Sequence, residues 1–470
     1  MAKRQGGSRG RATPGSMAGP ARAVHPAMNA IPPAATGPIG VATTGRFIVV
    51  FKEHDTSARA AAKATLANVA GLRAVVASSD FENGAVAASA LAASSAVHFE
   101  RLGVVLVSGE DSVQALSASA MDSDSSILAI EPEYIAYPSQ TVGDTSVSDY
   151  LRGYRDAVNH LFEHVDTQRC GAAEAEAAAA SFRDTDQLTR GLQAIGVPTS
   201  RFTGQGIKVA VLDTGLDLAH PDFRGRAITS QSFSGEPVQD VFGHGTHCVG
   251  TACGAARPAS GVRRYGVASA AQIFVGKVFD NASPRPQAVT GNVIAGIEWA
   301  ITNGCRVVSM SLGVPINQKI AQYETPIRRA LQAGTLVIAA AGNNANRPTN
   351  AGFVEPPANA DASVAVAAVD RHLQIARFSS RSSQVTGVGG SVNIAAPGVA
   401  VFSSLPVANG GHGLLDGTSM ATPHVAGAAA LWAEATGDSG PALLSRLLQS
   451  AQPLMLPSVD VGSGLVQAPQ

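Results

Sequence analysis

Three short segments of this sequence carry the residue types of a nucleophilic catalytic site. Asp213 follows an apolar strand in VAVLDTGL (209–216), His244 opens a predicted helix in GHGTHC (243–248), and Ser419 opens another in GTSMATPHVAG (417–427). A serine nucleophile needs a base to accept its proton, and that base needs a carboxylate to fix its tautomer. The three segments together supply the residue types for acyl transfer.

A fourth segment can supply a donor for the oxyanion that such a reaction forms. In AAAGN (339–343) an apolar strand ends in Gly342 and then presents Asn343, whose side-chain amide can donate a hydrogen bond. The helix start at Ser419 adds backbone N–H groups and a dipole that favour negative charge. An acid in a turn, or a histidine at a helix start, is usually structural when it occurs alone. The four segments together give each residue a role in one mechanism.

These four segments resemble the catalytic segments of the subtilase family, the subtilisins and proteinase K relatives, over roughly residues 186–470. Their chain order Asp, His, Ser is the known subtilisin order. The resemblance implies that Asp213 orients and stabilises the imidazole, that His244 is general base and then acid, and that Ser419 attacks the carbonyl. It also implies that Asn343 and the Ser419 backbone N–H stabilise the oxyanion.

The resemblance also implies where a protein or peptide substrate binds. SMSLG (309–313) matches the family strand that pairs with the substrate backbone. The expected substrate-binding residues on the groove walls are Ser311, Leu312, Gly313, Ala341 and Gly342. Val314 stands where many relatives have a second glycine. The opposite loop, ASPRPQ (282–287), departs from the family pattern, and its prolines cannot donate backbone hydrogen bonds. Pairing on that side is therefore in doubt.

Glu355 is expected at the floor of the pocket that takes P1, the residue before the scissile bond. In the family this floor comes from the loop after the oxyanion asparagine, here residues 344–357. A carboxylate there would favour lysine or arginine at P1, because a charge-assisted hydrogen bond can meet a buried cation. The alternative is a solvated loop acid beside a broad apolar pocket, since glutamate is rarely buried.

Potential metal ligands are sparse. The resemblance assigns Asp222 to a calcium site, but the loop that completes it is replaced by AARPASGVRR (255–264), which has three arginines and no carboxylate. Structural calcium is therefore an alternative that this loop does not favour, no metal ligand is assigned, and catalysis is expected to need no cofactor. Asp240 matches either an acidic family position at the substrate rim or a solvated surface acid. Cys248 is expected to be a buried, inert thiol.

The elements that must position these residues alternate between apolar strands and helices from about residue 186. The predicted strands are 208–212, 272–278, 306–311, 335–341, 364–369 and 393–396, and the predicted helices are 244–254, 289–303, 324–333 and 419–435. Nearly continuous Val, Ile and Ala strands indicate a parallel sheet covered by helices on both faces. The expected fold is α/β and subtilisin-like, with its site at the carboxyl ends of the strands.

A second, smaller domain is predicted ahead of it. Residues 46–139 read as strand, helix, strand, helix, strand, which is the pattern of a small α+β (ferredoxin-like) domain, with the Ala-rich stretch 84–97 as an inserted loop or helix. The second strand is predicted as one segment, 98–107, and the closing strand as two pieces, 127–130 and 134–137. This domain resembles the inhibitor propeptide of subtilases, which implies an intramolecular inhibitor that self-processing removes. Residues 1–45 are expected to be a disordered basic tail, and 140–185 a helix (149–165) and an Ala-rich linker.

Composition and charge exclude several other classes of protein. A net charge of −1 gives no case for nucleic acid or an anionic membrane as partner, and no apolar run is long enough for a membrane helix. Four scattered cysteines do not make a disulfide framework or a zinc site. Prolines interrupt every candidate signal peptide, so the compartment stays open, and a monomer is expected. A peptide-binding pseudo-enzyme remains the main rival; an esterase would carry its serine in GxSxG.

Overall fold

The computed structural model describes residues 41–52, 56–139, 182–282, 285–383 and 388–470. The predicted helix 149–165 and the Ala-rich linker lie outside these residues, as does most of the predicted tail. The last three tail residues, 43–45, instead belong to the first strand. No helix in the described part of the chain is both long and apolar enough to cross a membrane.

The N-terminal domain is a small sheet with helices on one face. Its elements are β1 (Thr43–Phe51), α1 (Thr56–Val69), β2 (Val76–Ala77), α2 (Ala88–Ala93), β3 (Ala96–Phe99), β4 (Val104–Val107), α3 (Glu110–Ala120) and β5 (Ile127–Pro138). Side chains alternate along β1, as the pleat of a strand requires. Val49 and Phe51 pack with α1 and α3, whereas Ile48 and Val50 join the core shared with the C-terminal domain. Both faces of this sheet are therefore buried.

Two details of this domain differ from the sequence prediction. The single strand expected at 98–107 is a hairpin of β3 and β4, because the chain reverses at Gly103, which has a φ of 57°. The stretch 84–97 is not one insertion, since it holds α2 and the start of β3. The two pieces predicted for the closing strand form one strand, β5, which pairs with β1.

The C-terminal domain alternates strands with helices. Its elements up to the oxyanion segment are α4 (Arg190–Ala194), β6 (Lys208–Asp213), β7 (Ile228–Ser232), α5 (His244–Cys253), β8 (Gln272–Lys277), β9 (Ala288–Val289), α6 (Thr290–Thr302), β10 (Val307–Met310), β11 (Leu312–Gly313), α7 (Ala321–Gln332) and β12 (Leu336–Ala340). After it come β13 (Val364–Val369), β14 (Ile394–Pro397), β15 (Val401–Ser404), β16 (His412–Leu415), α8 (Thr418–Thr436), α9 (Gly440–Gln449) and α10 (Ser458–Val461).

Seven of these strands form the central parallel sheet, in the order β14-β13-β12-β10-β6-β8-β7. Helices flank it, with α8 on β10, β12, β13 and β14, and α6 on β6 and β8. After β6 the chain first builds the β8 side and then the β10 side. Such a switch in strand order opens a crevice at the carboxyl ends of the strands, and β6 ends there with Asp213.

The end of β5 joins the two domains. Past its pairing with β1, this strand pairs with β11 on one side and with β9 on the other. The last residues of the N-terminal domain thus lie as an added strand between two segments of the C-terminal domain. This strand leads directly to the crevice.

Candidate active site

Asp213, His244 and Ser419 meet at the crevice and are all buried. Asp213 ends β6, His244 is the first residue of α5, and Ser419 lies in the first turn of α8. Gly245 permits this approach, since a Cβ on it would lie 2.3 Å from the carbonyl oxygen of Gly215. The glycine after His244 is therefore required for α5 to start against the turn that follows Asp213.

Asp213 and His244 are hydrogen-bonded. Asp213 Oδ1 lies 2.7 Å from His244 Nδ1 and also accepts the backbone N–H of Thr214 at 2.7 Å. A carboxylate at Nδ1 favours the tautomer with the proton there, which leaves Nε2 free to accept one. His244 Nε2 is buried without a hydrogen-bond partner among the described residues. The Ser419 hydroxyl instead donates to the carbonyl oxygen of Ser311 at 3.2 Å.

Asp240 fixes the chain that leads into His244. It is 1% exposed. Its Oδ1 accepts from the backbone N–H groups of Phe242 and Gly243 and from the Thr214 hydroxyl, and its Oδ2 accepts from the N–H and hydroxyl of Thr246. The reading of Asp240 as a solvated surface acid is therefore wrong. A buried carboxylate with this many donors holds the start of α5 in place.

The carbonyl oxygen of Ser139 lies where an oxyanion would be stabilised. It accepts the backbone N–H of Ser419 at 3.2 Å and the side-chain amide of Asn343 at 2.5 Å. Asn343 is held in that orientation because its Oδ1 accepts the N–H and the hydroxyl of Thr418 at 3.0 and 2.9 Å. The Ser139 N–H donates to Ser311 at 3.1 Å. Ser139 thus occupies this site as the P1 residue of a bound peptide would.

The residues before Ser139 fill the groove on both sides. Pro138 and Tyr137 pair with Leu312 and Gly313, as expected for that wall. On the opposite wall the pairing is made by β9, which follows the loop 282–287 and pairs with Ala136 and Ile135. The prolines of loop 282–287 therefore do not prevent strand pairing on that wall, because the pairing strand begins just after them. Val314 is buried, and its N–H donates to Pro356.

Glu355 lies against the two predicted walls. It is 9% exposed, its backbone N–H donates to Ala341, and its Oε1 accepts the side-chain amide of Asn344 at 2.8 Å. A Cβ on Gly342 would lie 3.1 Å from the carboxyl carbon of Glu355. Burial raises the pKa of Glu355 to about 7, although Asn344 and the charge of Arg285 act to lower it. The reading of Glu355 as a solvated loop acid is wrong.

Asp222 does not suit calcium. Its Oδ1 accepts the N–H of Ser260 at 2.8 Å. Its Oδ2 accepts from the Ser260 hydroxyl, the Tyr265 hydroxyl and His412 Nε2 at 3.0, 2.7 and 2.8 Å. A hard cation needs several oxygen ligands that are free to coordinate it, whereas the groups around this carboxylate are hydrogen-bond donors.

The described cysteines are free and buried. Cys248 lies near the site, with its Sγ 3.6 Å from the carbonyl oxygen of Ser419. Burial raises the pKa of Cys248 well above its usual value. A protonated thiol is a poor nucleophile. We therefore interpret Cys248 as a small apolar residue that packs next to Ser419.

Several residues of this site were not singled out from the sequence. They are Ser139, Thr418, the pair Ala288–Val289 and Lys277, whose buried ammonium group donates to the Thr214 carbonyl at 2.5 Å. A signal existed for Ser139 alone, because the predicted N-terminal domain ends there. The others depend on contacts between segments that are distant in sequence.

Comparisons with known proteins place this site in a family. A model of the subtilase family matches residues 204–463. The chain is 40% identical over 242 residues to Subtilisin NAT of Bacillus subtilis subsp. natto, covering 51% of this chain and 58% of that protein. It is 39% identical to Subtilisin of Bacillus pumilus over 242 residues, covering 51% and 81%. It is 37% identical to Subtilisin Savinase of Lederbergia lenta over 278 residues, covering 59% and 94%. The chain thus spans little more than half the length of the first of these relatives.

Proposed function

Because this chain belongs to the subtilase family, we propose that it is a serine endopeptidase with Asp213, His244 and Ser419 as its catalytic triad. The observation that carries the proposal is the position of the Ser139 carbonyl. Its oxygen accepts hydrogen bonds from Asn343 and from the Ser419 N–H at the start of α8. Two donors that converge on one carbonyl oxygen next to a serine hydroxyl are what acyl transfer requires.

In the proposed reaction Ser419 first turns its hydroxyl from the Ser311 carbonyl towards His244 Nε2. His244 takes the proton as the serine oxygen bonds to the peptide carbonyl carbon, and Asn343 with the Ser419 N–H stabilises the resulting oxyanion. Asp213 stabilises the imidazolium. His244 then gives its proton to the leaving amine as the C–N bond breaks. Water attacks the acyl-enzyme by the same steps and frees the carboxylate and Ser419.

The same geometry supports a zymogen that processes itself. The N-terminal domain places its own last strand, β5, in the substrate groove with Ser139 at P1, so the bond between Ser139 and Gln140 is the proposed scissile bond. After the cut, β5 would keep its strand pairing and continue to block the groove. Protein substrates therefore compete with the chain's own N-terminal domain, and the active species is proposed to be a monomer without a catalytic cofactor.

The test compares wild type with Ser419→Ala, and Ser450→Ala, just after the end of α9, is the matched control. Wild type and the control should release an N-terminal fragment that ends at Ser139, as measured by mass spectrometry, whereas Ser419→Ala should stay uncut. An identical cut in Ser419→Ala would assign the cleavage to another protease. If a serine-directed fluorophosphonate fails to label the wild type at Ser419, the chain only binds peptides and the peptidase proposal is wrong.

A further inference from the structure

Oxygen atoms without hydrogen-bond partners gather beside the side chain of Ser139. The hydroxyls of Ser139 and Ser380 are buried and make no hydrogen bond within the described part of the chain. Glu355 uses only its Oε1, in the hydrogen bond from Asn344. Buried polar atoms are normally satisfied, so each exception requires an explanation. Two buried hydroxyls without partners, beside a carboxylate with one oxygen not used in a hydrogen bond, point to a missing ligand.

Two glycines show that these groups share one space. A Cβ on Gly313 would lie 2.2 Å from Glu355 Oε2 and 3.2 Å from the hydroxyl oxygen of Ser139. A Cβ on Gly342 would lie 3.0 Å from the hydroxyl oxygen of Ser380 and 3.1 Å from the Glu355 carboxyl carbon. Glu355 and Ser380 therefore stand behind the two walls that hold Ser139. Any larger residue at either glycine would displace the Glu355 carboxyl group.

No positive charge is hydrogen-bonded to the oxygens of this space among the described residues. Burying an unpaired carboxylate is costly, and the cost falls when a cation with hydrogen-bond donors enters the same space. Among the described residues, Arg285 is the cation that acts on Glu355. Its guanidinium group stacks on the ring of Tyr137 with 4.1 Å to the centroid, and no hydrogen bond joins it to Glu355. The side chain of Ser139 is short and neutral, so it brings no positive charge to this space.

We propose that Glu355, with Ser380, recognises a lysine or arginine side chain at P1. This inference rests on the proposed peptidase function and names its substrate class. A lysine brings three donors and an arginine five, all charged, which suits one free carboxylate oxygen and one free hydroxyl. Ser139 is then a mismatched P1 residue. It leaves the specificity groups of the pocket unpaired while the N-terminal domain blocks the groove.

The experiment uses the full chain after it has processed itself, with active sites counted by fluorophosphonate titration. The substrates are fluorogenic peptides Ala-Tyr-Pro-X, which repeat the residues before Ser139, with lysine, arginine, norleucine or serine at X. Norleucine has the carbon chain of lysine without its ammonium group. We expect kcat/KM for lysine to exceed that for norleucine at least about 10-fold, because a charge-assisted hydrogen bond contributes that much.

Variants assign the preference to the pocket. Glu355→Gln should lower the lysine-to-norleucine ratio about 10-fold or more, and Ser380→Ala should lower it by a smaller factor of about 3. Asp361→Asn removes one negative charge from an exposed position between the pocket loop and β13, and should leave the ratio unchanged. A change of equal size in Asp361→Asn would mean that general charge attracts the substrate, and would overturn the proposal.

The wild-type preference tests the proposal even if Glu355→Gln fails to fold. If the peptides with serine or norleucine at X are cleaved with the same kcat/KM as those with lysine and arginine, Glu355 only fills the end of the pocket. The proposal is then wrong, although the peptidase function stands. If no peptide is cleaved and Ser419 is not labelled, both are wrong. A lysine or arginine preference that disappears in Glu355→Gln supports the proposal.

Discussion

The carboxylate of Glu298 accepts the backbone N–H of Leu102 at 3.2 Å, although the two residues belong to different domains. The same carboxylate accepts the N–H of Arg101 and the hydroxyl of Ser78. Glu298 is buried on α6, so the turn between β3 and β4 is held by a charged acceptor away from water. These hydrogen bonds hold the N-terminal domain against α6 of the C-terminal domain.

Loss of this acceptor should weaken the binding of the N-terminal domain. Glu298→Ala leaves the N–H groups of Arg101 and Leu102 without a partner, and hydrogen bonds to a charged group contribute about 1.5–3 kcal/mol. We expect the cut N-terminal domain to bind at least about 10-fold more weakly, so that peptide hydrolysis appears with a shorter lag after processing. Glu82→Ala removes an exposed acid of the N-terminal domain, and as the control it should keep the wild-type lag. An unchanged lag in Glu298→Ala would show that the contact does not limit release.

The role proposed for Asn343 as oxyanion donor can be tested separately from substrate binding. Asn343→Ala removes the side-chain amide that donates to the Ser139 carbonyl. We expect kcat to fall about 10²–10³-fold with KM little changed, a magnitude known from the oxyanion asparagine of subtilisin, a relative of this chain. Asn409→Ala, on an exposed turn, should retain the wild-type kcat. A rise in KM with kcat intact would instead assign Asn343 to ground-state binding.

Much of the fold could be predicted because its signals are local. The buried strands of the parallel sheet are continuous apolar runs, and each catalytic segment follows such a run or begins a helix. The strand β7 (ITSQS) was missed because it lies at the sheet edge and is half-exposed and polar. Its place depends on pairing with β8, which no local pattern encodes.

The environment of the acidic residues could not be predicted for the same reason. Asp240 is buried by donors that lie both before and after it in the chain. Glu355 is buried because β11 and the segment after β12 meet around it, and the sequence alone left it between pocket and solvent. Burial of an acid depends on which distant donors reach it, whereas the residue type alone favours exposure.

Buried histidines should make the protein sensitive to acid. Burial lowers the pKa of His247 to about 3 and that of His424 to about 4, against about 6.5 in an unfolded chain. Between pH 6.5 and 4 the unfolded chain therefore binds more protons than the folded one, so the free energy of unfolding falls as the pH falls. Urea unfolding of Ser419→Ala should show this slope. Adding His424→Gln should reduce the slope by up to about 1.4 kcal/mol per pH unit, and an unchanged slope would contradict it.

Variants of Asp222 can show whether hydrogen bonds or a calcium ion satisfy its carboxylate. Burial acts to raise the pKa of Asp222, but the hydrogen bonds from His412, Ser260 and Tyr265 outweigh it and lower the pKa below its usual value. The carboxylate therefore stabilises the fold above about pH 4, and this contribution is lost as the pH falls further.

In the Ser419→Ala background, Asp222→Asn should reduce the free energy of unfolding at pH 7 by about 2–4 kcal/mol, because it leaves buried donors without a charged acceptor. Removing calcium with a chelator should not change the size of that reduction. Asp438→Asn, which breaks an exposed pair with Arg446, is the control and should cost less than about 1 kcal/mol. If the chelator lowers the stability of the parent to that of Asp222→Asn and leaves the variant unaffected, calcium binds at Asp222 and the hydrogen-bonded arrangement described above is wrong.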